Sequence, residues 1–229
     1  MKKPRTTSGR YPRGEETKQR IIATAIDIFG RQGFVGTSTR DIAAAAGVNT
    51  PAIQYYFDSK LGLYKGCMDQ LSARVWQALE PAVTRCGAVV AGNPPLEDII
   101  TCIGDVQNSL LDTFFVGDDG NAIRRLLAWE DAENEASISD QMMRDRIAMP
   151  LIETFRIAID RVTKGELKPV DVDMHAMALM GVSMFFHFNQ SRVMDMLNWT
   201  ANDDFLDRLK VVAQAQLRYA LVGLSAEAR

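Results

Sequence analysis

The sequence of 229 residues has few of the residue types that build disulfide, metal or membrane structures. It contains three cysteines, none in a C-x-x-C pair, and only two histidines, so a disulfide framework, a cysteine-rich zinc module and a histidine-rich metal site are excluded. The longest apolar stretch, Ala176 to Phe186, is far shorter than the roughly 20 residues of a membrane span. The N-terminus has no apolar core of a secretion signal. We therefore expect a cytoplasmic protein with no metal, cofactor or membrane contact.

Sequence patterns of common enzyme sites are also missing. The chain has no phosphate-binding G-x-x-x-x-G-K-[ST], no dinucleotide-binding G-x-G-x-x-G and no nucleophile-bearing G-x-S-x-G. Asp171 and His175 could share a helix face, but two ligands do not define a metal site. We therefore expect no enzyme. Strand-like alternation is absent too, and apolar residues recur at helical spacing, so the predicted fold is all-α.

The charge of the chain is divided between its two parts. Residues 1–65 carry 11 Lys and Arg against 5 Asp and Glu, a formal charge of +6. Residues 66–229 carry 15 against 24, a charge of −9. A basic N-terminal part is typical of a nucleic-acid-binding domain. A basic tail that is only solvated would give the same count, so charge alone leaves both interpretations open.

Composition and periodicity predict three parts. Residues 1–14 hold five basic and no acidic residues with too few apolar groups to offset the entropy of ordering, which predicts a disordered basic arm. We expect residues 15–65 to form a domain of three helices and residues 66–229 to form a separate helical bundle. In that bundle we expect one helix over 171–198 and a last one over 203–224.

Residues 39–58 have the spacing of a helix-turn-helix. Ser38 suits the cap of the second helix, and Gly47 permits a turn with positive φ. Thr50 suits the cap of the third helix and Pro51 its first position. The apolar residues that would share a core with the preceding helix are Ile42, Ala46, Val48, Ile53 and Phe57. The second helix of such a motif enters the DNA major groove, although a plain helical hairpin in a bundle would show the same spacing.

The wider pattern resembles a known family. T-x-x-I-x-x-A-A-G-V followed by P-A-I-x-Y-Y-F-x-S-K-x-x-L-Y, over Thr39–Tyr64, closely resembles the TetR family of bacterial repressors. The resemblance is specific across about residues 17–66, and the C-terminal half is similar to the CerR-type branch. It implies a homodimer that binds a double-stranded DNA operator and releases it when a small-molecule effector enters the C-terminal bundle.

The resemblance places DNA contacts at Thr39, Arg40, Thr50, Pro51, Ala52, Gln54, Tyr55, Tyr56 and Lys60. Thr39 and Arg40 would meet phosphates at the start of the second helix. Gln54 would pair with adenine in the major groove, and the apolar edges of Pro51 and Ala52 would pack on a thymine methyl.

Further backbone contacts come from the end of the motif and from the arm. Tyr56 and Lys60 would touch phosphates, and Tyr55 is expected to be the partly packed tyrosine of the pair, with a hydroxyl that reaches a phosphate. The basic residues of the arm could follow the phosphates or enter a minor groove: Lys2, Lys3, Arg5, Arg10 and Arg13.

The C-terminal part holds ten of the eleven methionines. Methionine suits an adaptable pocket but also an ordinary core. The candidate effector contacts are Phe114, Trp129, Met177, Met180, Met184 and His187, which would favour a small hydrophobic molecule. Phe185 and Phe188 form an adjacent stripe on the same helix. One stripe should face the bundle interior and the other a dimer partner, and the sequence does not decide which.

Two functions fit these patterns. The first is a ligand-responsive DNA-binding regulator, a repressor that leaves its operator when the effector binds. The second is an α-helical protein-interaction module without an effector, in which the acidic C-terminal part is a docking surface.

Overall fold

The computed structural model describes residues 11–116, 118–133, 138–198 and 204–227, with the backbone alone at 11–13, 128–133 and 138–140. Across these ranges every regular element is helical, which confirms the all-α class. None of the described helices combines the length and apolar composition that a membrane crossing requires.

The chain divides into two compact units. Unit 1 comprises Met1–Leu71 and Arg125–Met142, and unit 2 comprises Ser72–Arg124 and Met143–Arg229. The predicted DNA-binding domain, residues 15–65, lies within unit 1. Residues 1–10 of the predicted arm lie outside the described residues, and the first helix begins at Tyr11, four residues before the predicted start.

The first four helices are α1 (Tyr11–Gly36), α2 (Thr39–Ala45), α3 (Thr50–Phe57) and α4 (Lys60–Val90). They are followed by α5 (Leu96–Phe115), α6 (Asp118–Glu133), α7 (Ile138–Met143), α8 (Met149–Val162), α9 (Pro169–Phe188), α10 (Gln190–Met196) and α11 (Asp204–Glu227). A π-helical turn, Arg144–Ala148, joins α7 to α8. This turn lies just before Pro150, whose ring displaces the carbonyl one helical turn earlier.

Unit 1 is built on one apolar face of α1. Its buried residues on that face are Ile21, Ile22, Ala25, Ile26 and Phe29. Ile42, Ile53 and Phe57 of α2 and α3 are buried as predicted, and Val48 is half-buried. Burial of such side chains contributes roughly 1.5–3 kcal/mol each, so this shared core holds the short helices α2 and α3 in place.

The turn between α2 and α3 is held by its backbone. Gly47 has φ 65°, the left-handed conformation that glycine adopts without strain. The Val48 N–H donates to the Ala43 carbonyl at 3.0 Å, and the Arg20 Nε of α1 donates to the Ala46 carbonyl at 3.0 Å. The turn is therefore fixed both locally and by α1.

Unit 2 is centred on α5, which packs on α8, α9 and α11. Its buried residues include Ile103, Val106, Leu110 and Leu111. The last helix buries a stripe of apolar residues at three- and four-residue spacing, which is the pattern of a helix with one face in the core: Phe205, Leu209, Ala213, Leu217, Leu221 and Leu224.

Two helix ends differ from the prediction. The helix that begins at Lys60 is predicted from the sequence to end near Glu80, but α4 continues through Pro81 because Ala82, Cys86 and Val90 keep its buried face continuous. The helix expected over 171–198 breaks at Asn189, whose φ and ψ of −107° and 16° are not helical. The Asn189 Nδ2 donates to the Phe185 carbonyl at 3.0 Å and so closes the end of α9.

Candidate DNA-binding and effector sites

Helix α3 buries one side and exposes the other. Ile53 and Phe57 lie in the core of unit 1. The exposed side carries Thr50, Pro51, Gln54 and Tyr55, and Ala52 is half-buried at its edge. Four of the residues predicted to meet DNA therefore share one accessible face.

The start of α3 is capped by a residue that the sequence analysis did not select. The Asn49 Oδ1 accepts the Ala52 N–H at 3.1 Å, so Asn49 is the N-cap and Thr50 is the first helical residue. The prediction of Thr50 as the cap is therefore wrong by one position. Both residues are good caps, and Asn49 takes this role because its backbone is extended, with φ −82° and ψ 153°. Pro51 is the second helical residue, one position later than predicted, and still lies in the first turn.

The two tyrosines exchange the environments that we expected. Tyr55 is 81% exposed, whereas Tyr56 is half-buried. An ideal Cβ placed on Gly14 would stand 3.7 Å from the Tyr56 Oη, so Tyr56 leans toward the start of α1. The prediction of Tyr55 as the packed tyrosine is wrong, because Tyr56 lies three residues after buried Ile53 and so on its side of the helix.

The start of α2 is organised as predicted. The Ser38 Oγ accepts the Asp41 N–H at 3.1 Å and donates to the Asp41 carboxylate at 2.6 Å. Thr39 is half-buried and Arg40 is exposed at this end of the helix. Their contacts with phosphates stay a prediction.

Lys60 has a structural role that the sequence did not indicate. Its Nζ donates to the Phe34 carbonyl at 2.7 Å and to the Thr37 carbonyl at 2.9 Å, and lies 4.4 Å from the centre of the Phe34 ring. These carbonyls follow the kink at Gly33, where α1 ends its regular course. Two of the three ammonium donors therefore hold the start of α4 on the end of α1. Only one N–H of Lys60 is left for the predicted contact with a phosphate.

In unit 2, two of the candidate effector residues, His187 and Phe114, lie against each other. His187 of α9 is 1% exposed, and its ring stacks on that of Phe114 of α5 with 4.3 Å between centroids. Neither ring nitrogen has a hydrogen-bond partner within the described part of the chain. Burial lowers the pKa of His187 to about 4, and the nearby Arg124 guanidinium adds to the effect. The backbone of Phe114 offsets part of this lowering of the pKa. The imidazole is therefore neutral at pH 7.

Two buried polar residues next to this pair were missed by the sequence analysis. The Gln107 Nε2 donates to the Leu179 carbonyl at 3.2 Å, while the Gln107 Oε1 and the Ser183 Oγ have no hydrogen-bond partner among the described residues. Gln107 of α5 contacts Leu179 of α9, and Phe114 contacts His187 further along both helices. Helices α5 and α9 therefore run in the same direction. We call the buried surface of Gln107, Phe114, Ser183 and His187 the α5–α9 seam. A lone polar residue in an apolar stripe is the signal that could have identified Gln107 and Ser183.

The methionines of α9 divide between two faces. Met180 is buried and Met184 half-buried on the side of His187, but Met177 is 55% exposed. Met177 is therefore wrongly predicted as a lining residue, because it lies about 80° around the helix from His187 at 100° per residue. The Trp129 side chain lies outside the described residues.

The face of α9 away from the seam carries exposed apolar residues. They recur along the helix as Val170, Met174, Met177, Phe185 and Phe188. Helix α11 exposes a similar set opposite its buried stripe: Val211, Val212, Tyr219 and Val222. We call these nine residues the apolar face of unit 2. Large exposed apolar patches mark interaction sites in proteins.

A short helix that is anchored on a three-helix core, capped at its start and exposed along one polar side is the recognition element of a helix-turn-helix. This arrangement defines the class of the protein, which is a DNA-binding transcriptional regulator. Residues 21–67 match the model of the family described as bacterial regulatory proteins, tetR family. Over this segment the chain is similar to the TetR family of transcriptional regulators.

Individual relatives agree with this family. The HTH-type transcriptional dual regulator CecR of Shigella flexneri is 26% identical over 196 residues, which cover 84% of this chain and 85% of CecR. A transcriptional regulator of Pseudomonas aeruginosa PAO1 has the same fold, with a TM-score of 0.67 at 15% identity over 98% of this chain and all of that one. The structure of AibR in complex with isovaleryl coenzyme A and operator DNA gives 0.58 at 13% identity, over 87% and 97%. The similarity to the CerR-type branch stays a prediction.

Proposed function

We propose that the protein is a ligand-responsive repressor that binds its operator as a homodimer and releases it when a small molecule occupies unit 2. The observation that carries this proposal is the exposed side of α3, with Thr50, Pro51, Gln54 and Tyr55 on a helix whose other side is fixed in the core. TetR-family regulators respond to ligands in this way in general, which supports the second half of the proposal.

Base readout falls to the middle of α3. Gln54 can pair with adenine in bidentate fashion, and Pro51 and Ala52 can pack on a thymine methyl. Tyr55, which is more exposed than predicted, can reach the backbone or a base edge. Thr39 and Arg40 supply phosphate contacts that position the helix. The basic arm supplies further charge.

Dimerisation uses the apolar face of unit 2. The exposed residues of α9 and α11 lie opposite their own buried stripes, so they are available to a second copy without loss of the internal core. A two-fold axis would pair each helix with the same helices of the partner and bury both faces. Two recognition helices are needed because a single helix-turn-helix makes too few contacts for specific binding.

The effector binds at the α5–α9 seam. Phe114, Met180 and Met184 offer apolar surface, whereas Gln107, Ser183 and His187 offer buried polar atoms that lack partners among the described residues. A buried polar group without a partner costs roughly 1–3 kcal/mol, so a ligand that supplies the missing hydrogen bonds gains from them. The effector is therefore amphipathic rather than purely hydrophobic, with an apolar body and at least one group that donates or accepts hydrogen bonds. AibR, with isovaleryl coenzyme A and operator DNA bound, is a protein of this fold that holds both kinds of ligand.

DNA binding is tested by a titration of labelled DNA from upstream of the protein's own gene at several salt concentrations. Gln54→Ala should weaken binding by roughly 10–100-fold on the preferred site and much less on scrambled DNA. Arg40→Ala should weaken both similarly and reduce the salt slope by about 1. Gln19→Ala, at an exposed glutamine of α1, is the matched control. If both variants bind as wild type does, α3 is not the recognition helix, and an interaction module becomes the better hypothesis.

Dimerisation and effector binding need separate measurements. Phe185→Glu with Phe188→Glu should give a monomer by sedimentation, whereas Ile157→Glu, at an exposed apolar residue of α8, should leave the dimer intact. A thermal-shift screen of small molecules, followed by release of labelled operator, should identify effectors. Ser183→Ala and Gln107→Leu should weaken release by an effector with polar groups. Effectors that act equally on both variants would place the site elsewhere.

A further inference from the structure

Two of the three cysteines, which are 16 residues apart in the sequence, meet in unit 2. The Cys86 Sγ of α4 and the Cys102 Sγ of α5 are 2.6 Å apart, and both residues carry free thiols. A disulfide bond is about 2.05 Å long, so the two sulfur atoms need to approach by only roughly half an ångström to bond. The wide spacing in the sequence, from which we excluded a disulfide framework, does not reveal this pair.

The pair borders an open groove. The groove has a volume of about 260 Å³ and is lined by both cysteines together with Ala82, Arg85, Val89, Asp98, Thr101 and Asp105. Cys102 is 8% exposed, whereas Cys86 is fully buried. A small polar oxidant can therefore reach Cys102 first.

The two thiols are chemically different. The hydrogen bond between the two sulfur atoms lowers the pKa of Cys102 and raises that of Cys86. Cys102 is thus the better thiolate and the better nucleophile. Cys67, which is buried in unit 1, has its pKa raised by burial, and its thiol lies 3.8 Å from the Ile22 carbonyl. Cys67 therefore serves as an internal comparison.

We propose that Cys86 and Cys102 form a peroxide-reactive dithiol that closes reversibly to an intramolecular disulfide. The Cys102 thiolate attacks the outer oxygen of a hydroperoxide, and with one proton gives Cys102 sulfenic acid and an alcohol, or water when the oxidant is hydrogen peroxide. The Cys86 thiol then attacks the sulfenic sulfur, the S–S bond forms, and water leaves. Two thiols are oxidised and one peroxide is reduced. A dithiol reductant reverses the change by thiol–disulfide exchange.

The geometry favours closure over further oxidation. The resolving sulfur already lies beside the reactive one, so the sulfenic acid is consumed before a second peroxide arrives. Proteins that bind chromosomal DNA work under reducing conditions, where a disulfide is transient and reports on oxidants. This inference does not depend on the proposed effector or on the operator.

The test treats the reduced full-length protein with hydrogen peroxide, quenches it in acid, and alkylates the remaining thiols after denaturation. We expect one alkylated cysteine, Cys67, and a peptide in which Cys86 and Cys102 are joined with the loss of two hydrogen atoms. Dithiothreitol should restore three alkylated cysteines. In Cys86→Ser, a dimedone probe should label Cys102.

Two further arms make the result specific to the folded protein. Cys67→Ser should form the same disulfide at the same rate, and oxidation in urea should lose the preference for the Cys86–Cys102 pair. Three alkylatable thiols after peroxide treatment of the wild-type protein, or a disulfide that includes Cys67, would overturn the proposal. The peroxide treatment of the wild-type protein does not require any variant to fold.

Discussion

The helix-turn-helix of unit 1 and the α5–α9 seam of unit 2 place polar residues in opposite environments. In α3, Gln54 and Tyr55 lie in water, and the backbone that positions them is set by Asn49 within a few residues. In the seam, Gln107 and Ser183 are buried, and Gln107 is held by a carbonyl 72 residues away in the chain.

This difference shows how each site is specified. The recognition helix needs a cap, a glycine turn and two core residues, which are local features. The seam needs two helices from distant parts of the chain to meet in register. It also retains buried polar atoms whose desolvation is not offset by partners in the described residues, a cost that a ligand can relieve.

The largest expected effect concerns unit 2, where residues that are distant in the sequence come into contact. Closure of the Cys86–Cys102 disulfide spans 16 residues and should raise the free energy of unfolding by about 3 kcal/mol in the chain-entropy model. The urea midpoints of oxidised and reduced protein measure the change. Cys67→Ser should show the same rise. An unchanged midpoint would mean that the closed bond strains α4 and α5.

The next prediction asks whether unit 1 is as locally specified as its motif. Lys60 reaches carbonyls 26 and 23 residues away. Lys60→Met should therefore lower the free energy of unfolding by about 1–3 kcal/mol, the contribution of hydrogen bonds to a charged group. Lys65→Met, at an exposed lysine of the same helix, should have little effect. A loss of operator affinity in Lys60→Met without any loss of stability would restore the phosphate contact predicted from the sequence.

Acidification should affect the seam and spare α3. The pKa of His187 is lowered to about 4 in the folded protein from an ordinary value of about 6.5. Between these values the unfolded chain binds more protons, so stability is complete above pH 6.5 and falls as the pH drops toward 4. The loss from this group at pH 5 should be about 1–2 kcal/mol.

Urea titrations at pH 7 and pH 5 measure this loss. His187→Gln, which cannot take up the proton, should be less sensitive to pH than wild type. Equal sensitivity in both proteins would show that the imidazole is accessible to solvent.

The smallest expected effect concerns unit 1, at the residue that caps α3. Asn49→Ala removes the cap of α3 and should cost about 1 kcal/mol, which would appear as a small loss of thermal stability and weaker operator binding at raised temperature. Asn93→Ala, in the α4–α5 loop, is the matched control. If Thr50→Ala costs more stability than Asn49→Ala, the cap is at Thr50 after all.

Most of unit 1 could be predicted from the sequence, because its signals are short-range. The Ser38 cap, the Gly47 turn and the buried residues Ile53 and Phe57 are all confirmed. The errors there are shifts of one position, between Thr50 and Asn49 and between Tyr55 and Tyr56. Neighbouring residues with equal propensities are separated only by the angle at which the helix meets its core.

Unit 2 was predicted less well, because its periodicity is ambiguous. Helix α9 is apolar on two faces, so spacing alone could not separate buried Met180 from exposed Met177. The passage of α4 through Pro81 depends on burial that extends beyond the proline. The polar residues Gln107 and Ser183 could not be assigned to one site before α5 and α9 were known to be neighbours.

The sequence by itself determined the helical class and the helix-turn-helix, since these follow from turn chemistry and apolar spacing over a few residues. Only the tertiary structure decided the role of Lys60, the membership of the seam and the meeting of Cys86 with Cys102. Contacts between residues far apart in the chain depend on which helices pack together and in what register, and no local propensity records that choice.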